Sequence, residues 1–446
     1  MTRRESAAAF SLALLAVVFS VAHFAESGVR MPLSLPKIGQ VEEEIPPLVE
    51  HLRTGDPVHS RNPRQYGPVF FLILQPLLVT IGTDPESLSH WLYALDLACL
   101  AVALLLTWAT LKPLVPVERR PLAAAALLFL WLNFAPLYAI LGVKNVEGWE
   151  LALIAAALFW YIRGRRAAAA IAVAVAGLIK LLPFIFIFYF LLRDRRAFAY
   201  SCAAVAAVLL ATQLVYGSEL GVRYLPRIAL SATGTSFALG WHENISLKGM
   251  IAKSVGTLTP GSMTIAGADP SYGSHIGAGQ AGYTVMLTRQ QLAFVRLAGL
   301  AAQLVVLAWT AWICTRPSSP DANRVAWEWS LVAIVMLLVS PQTAFEYCLL
   351  AIGAFSYVLV RLIADFPRRA APWITFAAAA LLVANVLPRQ MVNRLVFVDA
   401  LREWSGYAHF TPSEAYQFFG FPFAGLLLAL AALWQVRPSL HAHAAR

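Results

Sequence analysis

Apolar residues fall in long blocks along this chain, and short polar breaks separate them. The blocks lie at about 7–27, 69–83, 89–111, 121–141, 149–162, 167–192, 197–217, 291–314, 327–340, 347–364, 371–388 and 418–436. Most are long enough, or nearly so, to cross a hydrocarbon core of roughly 30 Å as a helix. The period-two alternation of a membrane barrel is absent, and helices satisfy their own backbone groups in lipid. The pattern predicts an all-α, polytopic transmembrane helical bundle of about 11–13 spans, in one integral membrane domain over 1–446. Three polar segments are too long for turns: 28–67, 218–290 and 389–417. No internal repeat or low-complexity tract is visible.

Charge adds orientation. Arginines cluster between the blocks at Arg3/Arg4, Arg119/Arg120, Arg163/Arg165/Arg166, Arg193/Arg195/Arg196 and Arg368/Arg369. Such clusters mark cytoplasmic loops. Counting back from a C-terminus placed inside puts 389–417 and 218–290 outside and Arg193–Arg196 inside. For Arg163–Arg166 also to lie inside, 167–192 must be a hairpin with Lys180 at its outer tip. Counting forward from Arg3/Arg4 puts 28–67 outside, but simple alternation then leaves Arg163–Arg166 outside too. So either one element between 69 and 162 is a half-span, or 167–192 crosses once and the arginine rule fails there. All three long segments share the extracytoplasmic face, which places the chain in a plasma or inner membrane as a multi-pass protein. Residues 1–27 also resemble a signal peptide, although a retained first helix is the preferred reading.

Composition supports the membrane assignment: 59% of residues are hydrophobic and 13% charged, against about 25% charged in soluble domains. The net charge of +10 sits in those loop clusters, so it does not indicate nucleic acid. Cys99, Cys202, Cys314 and Cys348 form no CxxC pair, so neither a disulfide framework nor a zinc site is indicated. There is no GxGxxG, P-loop, GxSxG or HExxH motif, so no cofactor or metal is expected.

Against this apolar background the acids at Glu42, Glu43 and Glu44 stand out. They open VEEEIPPLVEHLRTG, in which Val41, Ile45, Leu48, Val49 and Leu52 form a helical stripe. That predicts a short interfacial helix holding carboxylates at the membrane surface; the plainer alternative is a solvated acidic face. Lys180, in GLIKLLP, is a cation inside an apolar run, where a charge costs at least ~2.5 kcal/mol and is by default functional; snorkelling is the alternative. His242, Asn244 and Lys248, in WHENISLKGM, offer sugar- and phosphate-type contacts. Glu346 sits at the mouth of a span in SPQTAFEY. Asp96 is a lone acid in LYALDLACL, expected to pair with a neighbouring helix. Lys144, Glu147 and Glu150 form a charged break, GVKNVEGWE.

In order, GDPV, YGPVFFLILQPL, GLIKLLP followed by RDRR, HENISLKG and SPQTAFEY resemble the polyprenol-phosphate-mannose-dependent alpha-(1,2)-mannosyltransferases, glycosyltransferase family 87 of the C-type membrane fold. The resemblance spans nearly the whole chain, through short motifs. Tyr66 and Pro68 match a Y-P-P pattern with Gly67 in the middle. Asn244 and Ser246 match N-Q-S with Ile245 in the middle. Ser340, Pro341 and Tyr347 match S-P-x-S-W-x-H-Y, but Ala344 and Glu346 replace Trp and His. Lys144 and Asn145 end a G-Q-x-N-like stretch. The family's first-loop Asp is missing, and Glu42–Glu44 stand in its place.

The resemblance implies a polyprenyl-phosphate-sugar donor, a lipid or glycan acceptor, and a carboxylate general base on the outer face, drawn from Glu42, Glu43 and Glu44. Lys180, His242, Asn244, Lys248, Tyr66, Glu346 and Lys144 would contact the donor phosphate or substrate. Two other classes compete: a polytopic transporter using the charges at depth, and a lipid-linked glycan polymerase or ligase. The missing repeat and the long polar outer segments oppose a rocking carrier.

Overall fold

The computed structural model describes residues 3–34, 39–58, 66–226, 239–241, 243–257, 263–266, 282–285, 287–316, 321–366, 370–383 and 416–438. Most of the third polar segment, the side chain of Glu43 and all of His242 lie outside the described residues.

The chain is an all-α polytopic bundle. Among the described residues six helical segments are long and apolar enough to cross a membrane: Phe10–Leu33, Pro85–Leu114, Arg195–Tyr216, Arg289–Thr315, Ala322–Val339 and Phe345–Ala364. A pair bent by 48°, Val117–Leu132 with Ala135–Val143, makes a seventh. Five apolar helices are shorter, Pro68–Ile81, Arg166–Ile179, Leu182–Arg193, Ala370–Val383 and Phe421–Gln435. The blocks of the sequence thus became helices, but fewer of them than the 11–13 expected spans have full crossing length. The exception to helix is a short antiparallel pair, β1 (Met263–Ala266) with β2 (Gly282–Val285).

The elements that build the site are α1 (Arg3–His23), α2 (Ile45–Thr54), α3 (Pro68–Ile81), α4 (Pro85–Leu111), α5 (Arg120–Leu132), α6 (Ala135–Val143), α7 (Glu147–Ile162), α8 (Arg166–Ile179), α9 (Ile185–Arg193), α10 (Arg195–Tyr216), α11 (Leu247–Thr257), α12 (Arg289–Thr315), α13 (Ala322–Val339) and α14 (Ile352–Ala364).

The two ends of the bundle differ chemically. At one end Arg119 donates to the carbonyls of Ile363 and Ala364, at 3.0 and 2.8 Å. There too Arg166 pairs with Asp194 at 2.6 Å. Glu328 accepts from Arg324 at 2.7 Å, from Arg193 at 2.9 Å and from Tyr189 at 3.1 Å. At the other end Lys144 donates to the Pro32 carbonyl at 3.0 Å, and the Gly67 amide donates to the Ile179 carbonyl at 2.7 Å.

This arrangement resolves the topological conflict. Because Arg166 meets Asp194, α8 and α9 begin and end at the arginine end, and Lys180 caps the turn between them. So 167–192 is a hairpin. α4 starts at the opposite end, where Tyr93 donates to the Gly28 carbonyl at 2.8 Å. It finishes near the arginines, where Leu111 shares a small cavity with Leu158, Trp329 and Tyr357. α3 starts beside Ile179 and is joined to α4 through Gly82–Asp84 alone, so both its ends lie at that end and it does not cross. It is the half-span. Periodicity alone could not identify it, because its 14 residues are as apolar as those of a crossing helix.

Candidate active site

Lys180 ends α8 in an extended conformation (φ −140°, ψ 150°) and turns its side chain into the bundle. Close packing sets the break: a Cβ on Gly177 would lie 2.4 Å from the Phe184 ring, and Pro183 cannot continue the amide ladder. The ammonium is buried. It is ion-paired with Glu147, lies 3.4 Å from the Asn145 side-chain oxygen, and sits 4.6 Å from the Tyr347 ring centre and 5.6 Å from that of Tyr66.

The stretch GVKNVEGWE supplies the opposing face. Lys144 is the one non-glycine residue with positive φ among the described residues, at 52°. Such a conformation is uncommon outside glycine and collects at functional sites. It ends α6 and turns the chain so that Asn145 faces Lys180 and Glu147 opens α7. Tyr66 donates to Asn145 at 3.2 Å. Burial holds its phenol well above the ordinary value, with the Lys180 charge opposing, so Tyr66 remains a donor at neutral pH.

The first polar segment joins here. Gly39–Glu44 is a 3-10 turn leading into α2. Val41 and Leu48 are buried in one apolar cluster with Tyr66, Leu178 and Ile179. That is the expected amphipathic helix, and it sorts the acids: Glu42 is exposed, whereas Glu44 is fully buried within electrostatic reach of Tyr66.

The later motifs close the other side. Asn244 accepts from the Ser246 hydroxyl at 2.8 Å and from the Thr343 amide at 3.3 Å, and the Ile245 amide donates to the Thr343 carbonyl at 2.7 Å. HENIS and SPQT are therefore tied together, and Asn244 fastens two loops. Half-buried Glu346 lies within electrostatic reach of Glu243, Glu147 and Lys180. Lys248 is not drawn into this cluster. Its stem packs under Gly299 of α12, and its charge, lowered in pKa chiefly by burial, faces Arg296.

The structure thus brings together Glu44, Tyr66, Lys144, Lys180, Asn244 and Glu346 from the sequence-predicted set. It adds Asn145, Glu147, Glu150, Glu243 and Tyr347. Asp96 is buried near Glu147 and Lys144. Glu150 is buried with both carboxyl oxygens free of hydrogen bonds. The sequence did hold a signal for Glu147 and Glu150. Two acids at i and i+3 share a helix face, and here that face follows a polar break between apolar blocks.

Gly67 explains one departure from the expected motif. A Cβ there would lie 2.2 Å from the Leu178 carbonyl oxygen, and a proline would lose the 2.7 Å bond from its amide to Ile179. Gly67→Ala should cost about 1–3 kcal/mol or more. A melting curve in detergent unchanged from the wild type would refute this close approach.

A polytopic helical bundle with a buried carboxylate and ammonium cluster at one end carries a candidate functional site, because charges in such surroundings are costly to keep. The family model for glycosyltransferase family 87 matches residues 65–341. The chain belongs to that family and is a membrane glycosyltransferase. No curated protein matches it.

Proposed function

We propose that the chain moves a hexose, mannose in the first instance, from a polyprenyl-phosphate-sugar to a lipid or glycan acceptor on the extracytoplasmic face of the plasma or inner membrane. The observation that carries this reading is the burial of Glu44 beside Tyr66 and the Lys180–Glu147 pair, at the end of the bundle remote from the arginines. In the reaction the acceptor oxygen attacks the anomeric carbon. The bond from that carbon to the phosphate oxygen breaks, and its electron pair leaves with the polyprenyl phosphate. The acceptor proton passes to Glu44 as general base, a role typically worth 10²–10⁴-fold. The ammonium of Lys180, with Tyr66 as donor, offsets the charge growing on the leaving group. Arg-rich ends face the cytoplasm by the usual bias, which leaves the carboxylate cluster outside, where nucleotide sugars are absent and a lipid-linked donor is needed.

The activity test is transfer of label from radiolabelled polyprenyl-phosphate mannose to a lipid or glycan in membranes bearing the protein. Persistent failure with mannose and glucose donors alike would overturn the donor class. Sidedness has its own test, which the half-span makes sharp. In a cysteine-free background, Thr83→Cys should react with an impermeant maleimide in intact cells. Glu118→Cys, near the arginine end, should react only after lysis. The reverse pattern would put the site on the cytoplasmic side.

A further inference from the structure

The arginine end holds a feature that the transfer reaction does not use. Gly164, Arg165, Arg166, Ala167, Ala168, Arg196 and Tyr200 line an open groove of about 480 Å³ at the base of α8 and α10. Arg166 is engaged by Asp194 at 2.6 Å, and that carboxylate also caps α10 through the amides of Arg196 and Ala197. Arg165 and Arg196 are exposed. So the groove presents cationic groups, and the acid beside it is committed elsewhere.

Below the groove the surface is apolar. Arg196, Tyr200, Ala203, Ala207, Leu210, Ala211 and Leu214 recur at helical spacing along one face of α10, and all are exposed. Leu214 is 88% exposed. The surface therefore runs from the groove that holds Arg165 and Arg196, past an aromatic ring of the kind enriched at membrane interfaces, onto an exposed stripe of alanines and leucines that an alkyl chain can lie along. Guanidinium groups favour phosphate through forked hydrogen bonding, and basic clusters at the cytoplasmic end of spans attract anionic lipid.

We propose that this groove is a binding site for an anionic phospholipid, with the headgroup phosphate on Arg165 and Arg196 and one acyl chain along the exposed apolar face of α10. The site is separate from the transfer site and does not depend on the sugar donor.

The test uses the full chain, purified in neutral detergent and stripped of lipid. Its melting is followed on adding phosphatidylglycerol, phosphatidylcholine or inorganic phosphate, and bound lipid is counted by native mass spectrometry. Phosphatidylglycerol should raise the melting temperature and remain bound, while the other two should do neither. Arg165→Gln with Arg196→Gln should weaken phosphatidylglycerol binding at least tenfold. Ala207→Trp, which sets a bulky ring on the acyl-chain path and keeps every charge, should weaken it as well; that keeps the test decisive if the arginine variant fails to fold. Equal effects from phosphatidylcholine, equal effects from inorganic phosphate, or unchanged binding in the foldable variants would each overturn the proposal.

Discussion

Glu44→Gln should lower turnover by roughly 10²–10⁴-fold, whereas Glu42→Gln should stay within about tenfold of the wild type. Glutamine keeps the size and hydrogen bonding of the side chain but cannot take a proton at neutral pH. The contrast follows from placement. On the 3-10 turn that holds them, successive residues diverge by about 120°, so three adjacent acids cannot face one site. Glu42 faces outward, and Glu44 is buried beside Tyr66. Glu43→Gln belongs in the same series, and an effect there as large as that at Glu44 would mean that two acids share the proton. The assay is single-donor turnover at saturating acceptor, with folding checked by melting. A Glu44→Gln enzyme keeping more than about a tenth of wild-type turnover would move the base elsewhere, with Glu346 next to test.

Lys180→Ala should destabilise the protein by about 3–5 kcal/mol, because it leaves Glu147 buried without its counter-charge. Read from sequence, Lys180 is a cation at a hairpin tip, free to meet a phosphate and to be removed at little cost. In the structure it is 3% exposed and already paired, so its loss becomes a folding defect as well as a catalytic one. Removing both charges separates the two roles. Lys180→Met with Glu147→Gln should recover most of the lost stability, since replacing a buried pair by neutral groups is often neutral or better. Turnover should remain at least tenfold down, because no ammonium is left to offset the departing phosphate. Thermal melting in detergent and the labelled-donor assay read the two effects. Wild-type melting for Lys180→Ala would sink the buried pair, and wild-type turnover for the double variant would sink the electrostatic role.

The sequence alone determined the class of molecule. The apolar blocks leave no soluble alternative, and backbone hydrogen bonding in lipid then forces helices. The arginine clusters set the expected sidedness of the loops, because positive charge is biased toward the cytoplasmic side of a bilayer. Short motifs in the right order determined the family. Lys180 and Glu42–Glu44 were legible for the same reason: a charge among apolar residues needs an explanation.

Only tertiary structure decided the rest, because packing is not written in periodicity. α3 and a crossing helix are alike in apolar character, and what makes α3 a half-span is that both its ends lie at the end where α4 starts. Glu44 and Glu42 are the same residue type two positions apart, and only the burial of Val41 and Leu48 against Tyr66 and Ile179 turns one inward. Glu147 looked like part of a polar break until the αL turn at Lys144 brought it onto Lys180. Asn244 matches a family motif, and only the fold shows that its side chain also ties HENIS to the loop at Thr343. The pairings Gly67 with Ile179, Glu147 with Lys180 and Asn244 with Thr343 join residues far apart in the chain. Local spacing carries no record of such pairs, and in a membrane, where lipid is as apolar as the core, close fit and polar pairing between helices select them.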